Sequence, residues 1–132
     1  MRMVRLIAPL LAVVLLTACA SAPPRAVRSE FEDIPVPKGL ELRTGKSTII
    51  ESPTVKAARL VFRGRLEMAS LTVAMRTTLE ANGWRHVSST TSSHGTIQVY
   101  EKAGSSLEVR LWEGLWYTYV ELTASRALQP PK

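Results

Sequence analysis

The chain has little of the chemistry that builds a disulfide-stapled or metal-centred domain, with one cysteine and two histidines in 132 residues. A single thiol closes no intrachain disulfide, and a structural zinc site needs four convergent ligands, so neither framework is expected. Aromatic residues are also scarce, at 6%, so each tryptophan and tyrosine must be accounted for singly. The length allows one modest domain, which excludes large multidomain enzymes. Acids are outnumbered by bases, 11 against 17, for a formal net charge of +6. The bases are dispersed and match no nucleic-acid reading module, so no nucleic-acid partner is expected.

What is present is unevenly placed. Leu6 to Leu16 reads LIAPLLAVVLL, eleven residues without a charge. As a helix it would reach about 16 Å against about 30 Å of hydrocarbon, and Pro9 interrupts its hydrogen bonding. Such a stretch is an address segment rather than a permanent span. Arg2 and Arg5 precede it, and Leu16-Thr17-Ala18-Cys19 closes it.

This arrangement resembles the lipobox signal of bacterial lipoproteins. The resemblance implies loss of residues 1–18 and diacylglycerol on the Cys19 sulfur. In Gram-negative bacteria it implies, as a rule, a further acyl chain on the new amino terminus. Membrane lipid, held through Cys19, is thus an expected partner, and two or more acyl chains anchor a protein far longer than one. In that family an aspartate after the cysteine commonly retains the product at the inner membrane. Ala20 therefore implies the periplasmic face of the outer membrane, if the host is Gram-negative. Processing would remove Arg2 and Arg5 but no acid, leaving a net charge of +4.

The expected organisation is a signal peptide at 1–18, a flexible tether at 19–30, one folded domain at 31–124 and a flexible tail at 125–132. Pro23 and Pro24 with Arg25 and Arg28 give the tether little to bury. The domain opens with Phe31-Glu32-Asp33-Ile34-Pro35-Val36-Pro37, extended but barred from a central strand by its prolines. Strands are expected at Ser47–Glu51 and Lys56–Arg63, the latter with Ala58, Leu60 and Phe62 on one face and Arg59, Val61 and Arg63 on the other.

From Glu67 to Asn82, Met68, Leu71, Met75 and Leu79 recur at helical spacing, and Asn82-Gly83 supplies the stop. Trp84 is expected to seal the corner. Further strands follow at 84–90 and Thr96–Lys102, then a hairpin with arms Leu107–Trp112 and Leu115–Leu122. In the second arm Trp116, Thr118, Val120 and Leu122 share one face, opposite Tyr117, Tyr119 and Glu121. The fold class is α+β, one helix packed on an antiparallel sheet in the approximate order β-β-α-β-β-β-β. The sheet face away from the helix must be polar, partnered or closed by curling.

Asp33-Ile34-Pro35-Val36-Pro37, Phe62-Arg63-Gly64 and Gly83-Trp84 together make residues 31–123 similar to small bacterial envelope lipoproteins of uncharacterised function. That resemblance implies a compact α+β domain in the envelope and carries over no catalytic residues. Phe62 and Met75 stand where tyrosine is often expected, which argues against a shared tyrosine chemistry.

Gly39 to Ser47 invites a phosphate-loop reading, but five residues separate Gly39 from Gly45 where the motif needs four. It reads instead as a loop before a strand. His86 on a strand and His94 in a turn lack clustered carboxylates, so no metal is expected. Serines are plentiful, yet none stands in a Gly-x-Ser-x-Gly elbow, and no acid pair has assignable roles. A noncatalytic protein without cofactors is expected. The surface most suited to an envelope protein partner combines Trp112, Tyr117 and Tyr119 with Arg59, Arg63 and Arg110. The alternatives are a binder of lipid or another apolar ligand, using a calyx lined by Leu60, Phe62, Met68, Leu71, Met75 and Leu79, and an envelope enzyme with dispersed site residues.

Overall fold

A computed structural model describes residues 34–128. The expected signal peptide, Cys19, the tether, Phe31, Asp33 and residues 129–132 lie outside the described residues.

Seven strands and one helix follow in chain order: β1 (Glu41–Leu42), β2 (Thr48–Glu51), β3 (Val55–Gly64), α1 (Met68–Ala81), β4 (Arg85–Ser92), β5 (Gly95–Lys102), β6 (Ser105–Glu113) and β7 (Thr118–Ala127). All belong to one antiparallel sheet of spatial order β1-β3-β7-β6-β5-β4, with β2 also pairing with β3. This is the expected α+β layout, with the two-residue β1 added at its front.

The topology follows from where the helix sends the chain. After β3, α1 crosses one face of the sheet and delivers β4 to the far edge. Three short turns then bring the chain back until β7 pairs with β3 from Val55↔Ala127 to Gly64↔Thr118. Short connectors favour antiparallel neighbours, and the meander obeys that rule.

Helix α1 begins where Glu67 caps it, its carboxylate accepting from the Ala69 N–H at 2.8 Å and the Ser70 N–H at 2.7 Å. These two bonds satisfy amides that have no partner within the helix, and the Ser70 side chain together with them holds the Glu67 carboxyl below its ordinary range. At the other end Gly83 takes φ +85°, while the Trp84 N–H returns to the Leu79 carbonyl at 3.0 Å. Only glycine adopts that backbone without a Cβ penalty. Trp84 is buried at the corner as expected, with Lys102 Nζ over its ring at 5.8 Å and bonded to the Asn82 carbonyl at 2.8 Å.

Leu71, Met75 and Leu79 point from α1 onto the sheet, where Leu60, Phe62, Tyr100, Leu107, Val109, Leu111, Val120 and Leu122 complete the core. Ile34 joins this cluster, and Val36, Leu40 and Leu42 pack against it. One polar group runs through it: the Tyr100 hydroxyl donates to Gln98 Oε1 at 2.9 Å, and Gln98 Nε2 reaches the Thr72 carbonyl at 3.3 Å. Burial pushes the Tyr100 hydroxyl up to about 12.

Beyond shifts of one or two residues at strand ends, three places differ from expectation. Trp116 does not continue the core face of the last arm; β7 starts at Thr118, and Trp116 lies in the β6–β7 turn, 78% exposed. The expected tail at 125 begins as strand, because β3 still offers Ser125, Arg126 and Ala127 backbone partners. Strand β1 falls inside the segment expected to be a loop and pairs only through Glu41↔Arg63 and Leu42↔Phe62.

Candidate functional site on the uncovered sheet face

Strand register lays out the face opposite α1 as rows of neighbours. One row runs Glu41, Arg63, Tyr119, Trp112; the next runs Val61, Glu121, Arg110, Ile97. A third runs Thr48, Arg59, Thr123, Glu108, Val99. This face is therefore a charged ladder with an aromatic end.

At that end the Trp112 and Tyr119 rings stack, their centroids 5.4 Å apart and their planes 11° from parallel. Gly114 makes the stack possible. A Cβ there would sit 2.7 Å from Tyr119 Cε2, so the chain can turn over the ring only without a side chain. Offset aromatic pairs of this kind stabilise by about 0.5–1.5 kcal/mol beyond the area they bury.

Beside the stack is a shallow cavity of about 240 Å³, lined by Arg43, Lys46, Arg59, Val61, Trp112 and Tyr119. Arg59 donates to Glu121 at 2.5 Å, and that bond and charge raise its already high pKa. Arg43 and Lys46 have no carboxylate partner among the described residues. The cavity thus has three cations against one carboxylate, with a flat aromatic wall. Arginine offers a planar fork of donors and lysine a compact charge, while the indole and phenol favour a flat or apolar body. Such a surface is complementary in its chemistry to a carboxylate carried on an apolar stem. It holds no serine, cysteine or histidine to act as a nucleophile or base.

A three-residue 3-10 turn, Thr44–Lys46, with Arg43 at its N-cap, positions the two uncompensated cations. The Arg43 N–H donates to the Val61 carbonyl at 2.7 Å, which fixes the turn against β3 and aims it over this face.

Of the six expected surface residues, the structure brings Arg59, Trp112 and Tyr119 to the cavity. Tyr117 and Arg63 form a separate group: the Arg63 guanidinium lies 4.6 Å from the Tyr117 ring centroid, and Arg65 lies 5.4 Å from it. Arg110 turns to Glu108 at 3.6 Å and does not line the cavity. Arg43 and Lys46 were not expected at the site. Their one signal is two bases on either side of Thr44-Gly45, just before β2, the strand that pairs with β3 at Arg59.

Elsewhere, no group of three or more metal-ligating side chains gathers among the described residues. A bulge between His86 and Ser88 puts His86 Nε2 2.7 Å from Ser89 Oγ. Among the described residues no carboxylate bonds His86, so this pair lacks the third group that orients a catalytic base. The Gly45-Lys46 segment leads into β2, not into a helix, and offers no aligned amides for a phosphate. No helix among the described residues is long and apolar enough to cross a membrane. No protein-family model, curated protein or solved structure matches this chain, and the reading of its function rests on its own residues.

Proposed function

We propose that this chain is a noncatalytic envelope lipoprotein, anchored to membrane lipid through Cys19, whose uncovered sheet face binds a protein partner. The observation that carries the binding role is the Trp112–Tyr119 stack beside the Arg43, Lys46 and Arg59 cations. Aromatic and arginine side chains supply most of the energy at protein interfaces, and a cationic rim selects acidic partners. The partner side chain that fits best is a glutamate or aspartate next to an apolar residue. The anchor is supported by the basic start, the apolar stretch and the Leu16-Thr17-Ala18-Cys19 sequence.

The apolar-ligand alternative needs an open calyx between helix and sheet. Leu60, Phe62, Leu71, Met75 and Leu79 are instead buried against one another in the core, which favours the packed interaction domain.

Crosslinking of the tagged full chain in its own envelope, followed by partner identification, tests the binding role. A Trp112→Ala/Tyr119→Ala variant should lose the crosslinked partner at equal abundance, and undiminished recovery would overturn the assignment. The anchor has its own readout: the intact mass of membrane-extracted protein should show loss of residues 1–18 and added acyl mass. An unmodified Cys19 in a soluble full-length chain would refute it.

A further inference from the structure

The β6–β7 turn ends in two large apolar side chains that no part of the fold uses. Leu115 is 95% exposed and Trp116 78%. The turn closes tightly, with the Gly114 N–H donating to the Tyr117 carbonyl at 2.8 Å, so both side chains stand at the apex of a projecting hairpin. Apices of this kind normally carry Asn, Asp, Gly or Ser, which satisfy local backbone groups and stay in water. Leucine and tryptophan there contribute nothing to folding and expose apolar surface.

The residues behind the apex are ordered by polarity. Tyr117 follows, half-buried, and the guanidinium groups of Arg63 and Arg65 lie over its ring. Arg63 Nε is buried without a hydrogen-bond partner among the described residues. Reading back from the tip, the order is aliphatic, indole, phenol, guanidinium. A phospholipid bilayer changes in the same order from acyl chain through carbonyl to phosphate. A convex tip graded in this way suits a soft layered medium better than the concave pocket a folded partner would have to present.

We infer that the Leu115–Trp116 tip inserts into the interface of a phospholipid bilayer, with Arg63 and Arg65 at the phosphate level. The source of binding is the burial of two side chains rather than net charge. Glu113 borders the tip and Glu41 pairs in register with Arg63, so the acids offset the two arginines. Contact at the tip is independent of the Cys19 anchor and of the cavity beside the Trp112–Tyr119 stack. On an anchored chain it would fix which way the uncovered sheet face points.

The test uses the full chain on phosphatidylcholine vesicles whose acyl chains carry bromine, which quenches tryptophan only on close approach. The difference in quenching between the wild type and Trp116→Phe isolates Trp116 from Trp84 and Trp112. Strong quenching of Trp116 is expected. It should persist when salt is raised and fall in Leu115→Ser, since losing one buried aliphatic side chain weakens the partition of the tip about ten-fold. The apolar front end can hold every variant on the vesicle, so vesicle binding is scored separately by co-sedimentation. Unquenched Trp116 on a vesicle-bound chain overturns the inference and leaves the tip as a protein contact. Quenching that vanishes with added salt overturns it too, because it would mark adsorption by charge.

Discussion

Ser47 completes the hydrogen bonding of Val61: its hydroxyl accepts from the Val61 N–H at 3.1 Å and donates to the Arg43 carbonyl at 2.9 Å. The Arg43 N–H meanwhile takes the Val61 carbonyl at 2.7 Å. At this one point β1 and β2 leave β3 without a strand neighbour, and a side chain substitutes for it. Ser47→Ala therefore strips a partner from two backbone groups at once. A loss of about 1–2 kcal/mol is expected in urea unfolding, with Ser47→Thr retaining most of the stability. Because Arg43 and Lys46 ride on the same turn, the alanine variant should also bind partner less well. Full stability in Ser47→Ala would show that water replaces the hydroxyl.

The β5–β6 turn carries a correctable strain. Ala103 has φ +43° and Gly104 φ +78°, the backbone of a tight hairpin that suits Asn-Gly. Alanine in the left-handed region costs about 1 kcal/mol, because its Cβ crowds the backbone. Ala103→Asn should stabilise by about 0.5–1 kcal/mol. In a domain of this size that raises Tm by roughly 3–6 °C in a thermal melt. Ala103→Val should lower it.

How much of this was legible in the sequence depended on the length of the local pattern. Ala58, Leu60 and Phe62 alternate with Arg59, Val61 and Arg63 over a strand long enough to declare its two faces, and Met68 to Leu79 declares a helix the same way. Alternation in the last arm likewise sets Tyr119 opposite Val120 and Leu122, but it does not say which of the two faces is buried. Two residues, Glu41 and Leu42, declare nothing, because a period cannot be read from one repeat. Trp116 departs from the alternation of Thr118, Val120 and Leu122 because the β6–β7 turn lies between them and breaks the period. Ser125 to Ala127 lack apolar contrast, and they are strand because β3 reaches that far. Arg43 and Lys46 come to the site through tertiary contacts of a 3-10 turn, which no spacing rule reports.

Tyr100 couples stability to alkaline pH. Its hydroxyl titrates near 10 when unfolded and is pushed up to about 12 by burial in the fold. Below pH 10 both states keep the proton and stability is full. Between the two values the unfolded chain loses its proton while the native one holds it, so stability falls as pH rises, by roughly 3 kcal/mol across the window. Urea unfolding at a series of pH values should show this slope, and Tyr100→Phe should lose it. That variant is also expected to be less stable at neutral pH, because Gln98 Oε1 is left without its donor.

Glu67 works in the opposite pH range. Hydrogen bonds from Ser70 and from the Ala69 and Ser70 amides hold its carboxyl below the ordinary value of 4.5. Its support for α1 is full above that value and fades as the pH falls through the native-state value. Glu67→Ala should lower Tm at pH 7 and flatten the dependence of Tm on pH in the acid range. A variant that keeps the wild-type acid slope would move the titrating group elsewhere.

Gly114 offers the sharpest separation of site from fold. The Tyr119 ring stacks on Trp112, and a Cβ at 114 would stand 2.7 Å from Tyr119 Cε2. Gly114→Ala must displace that ring, since the backbone of a short hairpin cannot retreat. Tyr119 is half-buried on the uncovered face and contributes nothing to the core under α1. The cost in stability should stay near 1 kcal/mol. The consequence at the cavity is larger: with Tyr119 moved, the stacked wall beside Arg43, Lys46 and Arg59 is broken and only Trp112 remains of it. Near-ultraviolet circular dichroism should lose the signal of the stacked pair, and partner crosslinking should fall to the level of Trp112→Ala/Tyr119→Ala. Loss of the dichroic signal with crosslinking intact would mean that the stack is packing alone and that the partner docks elsewhere.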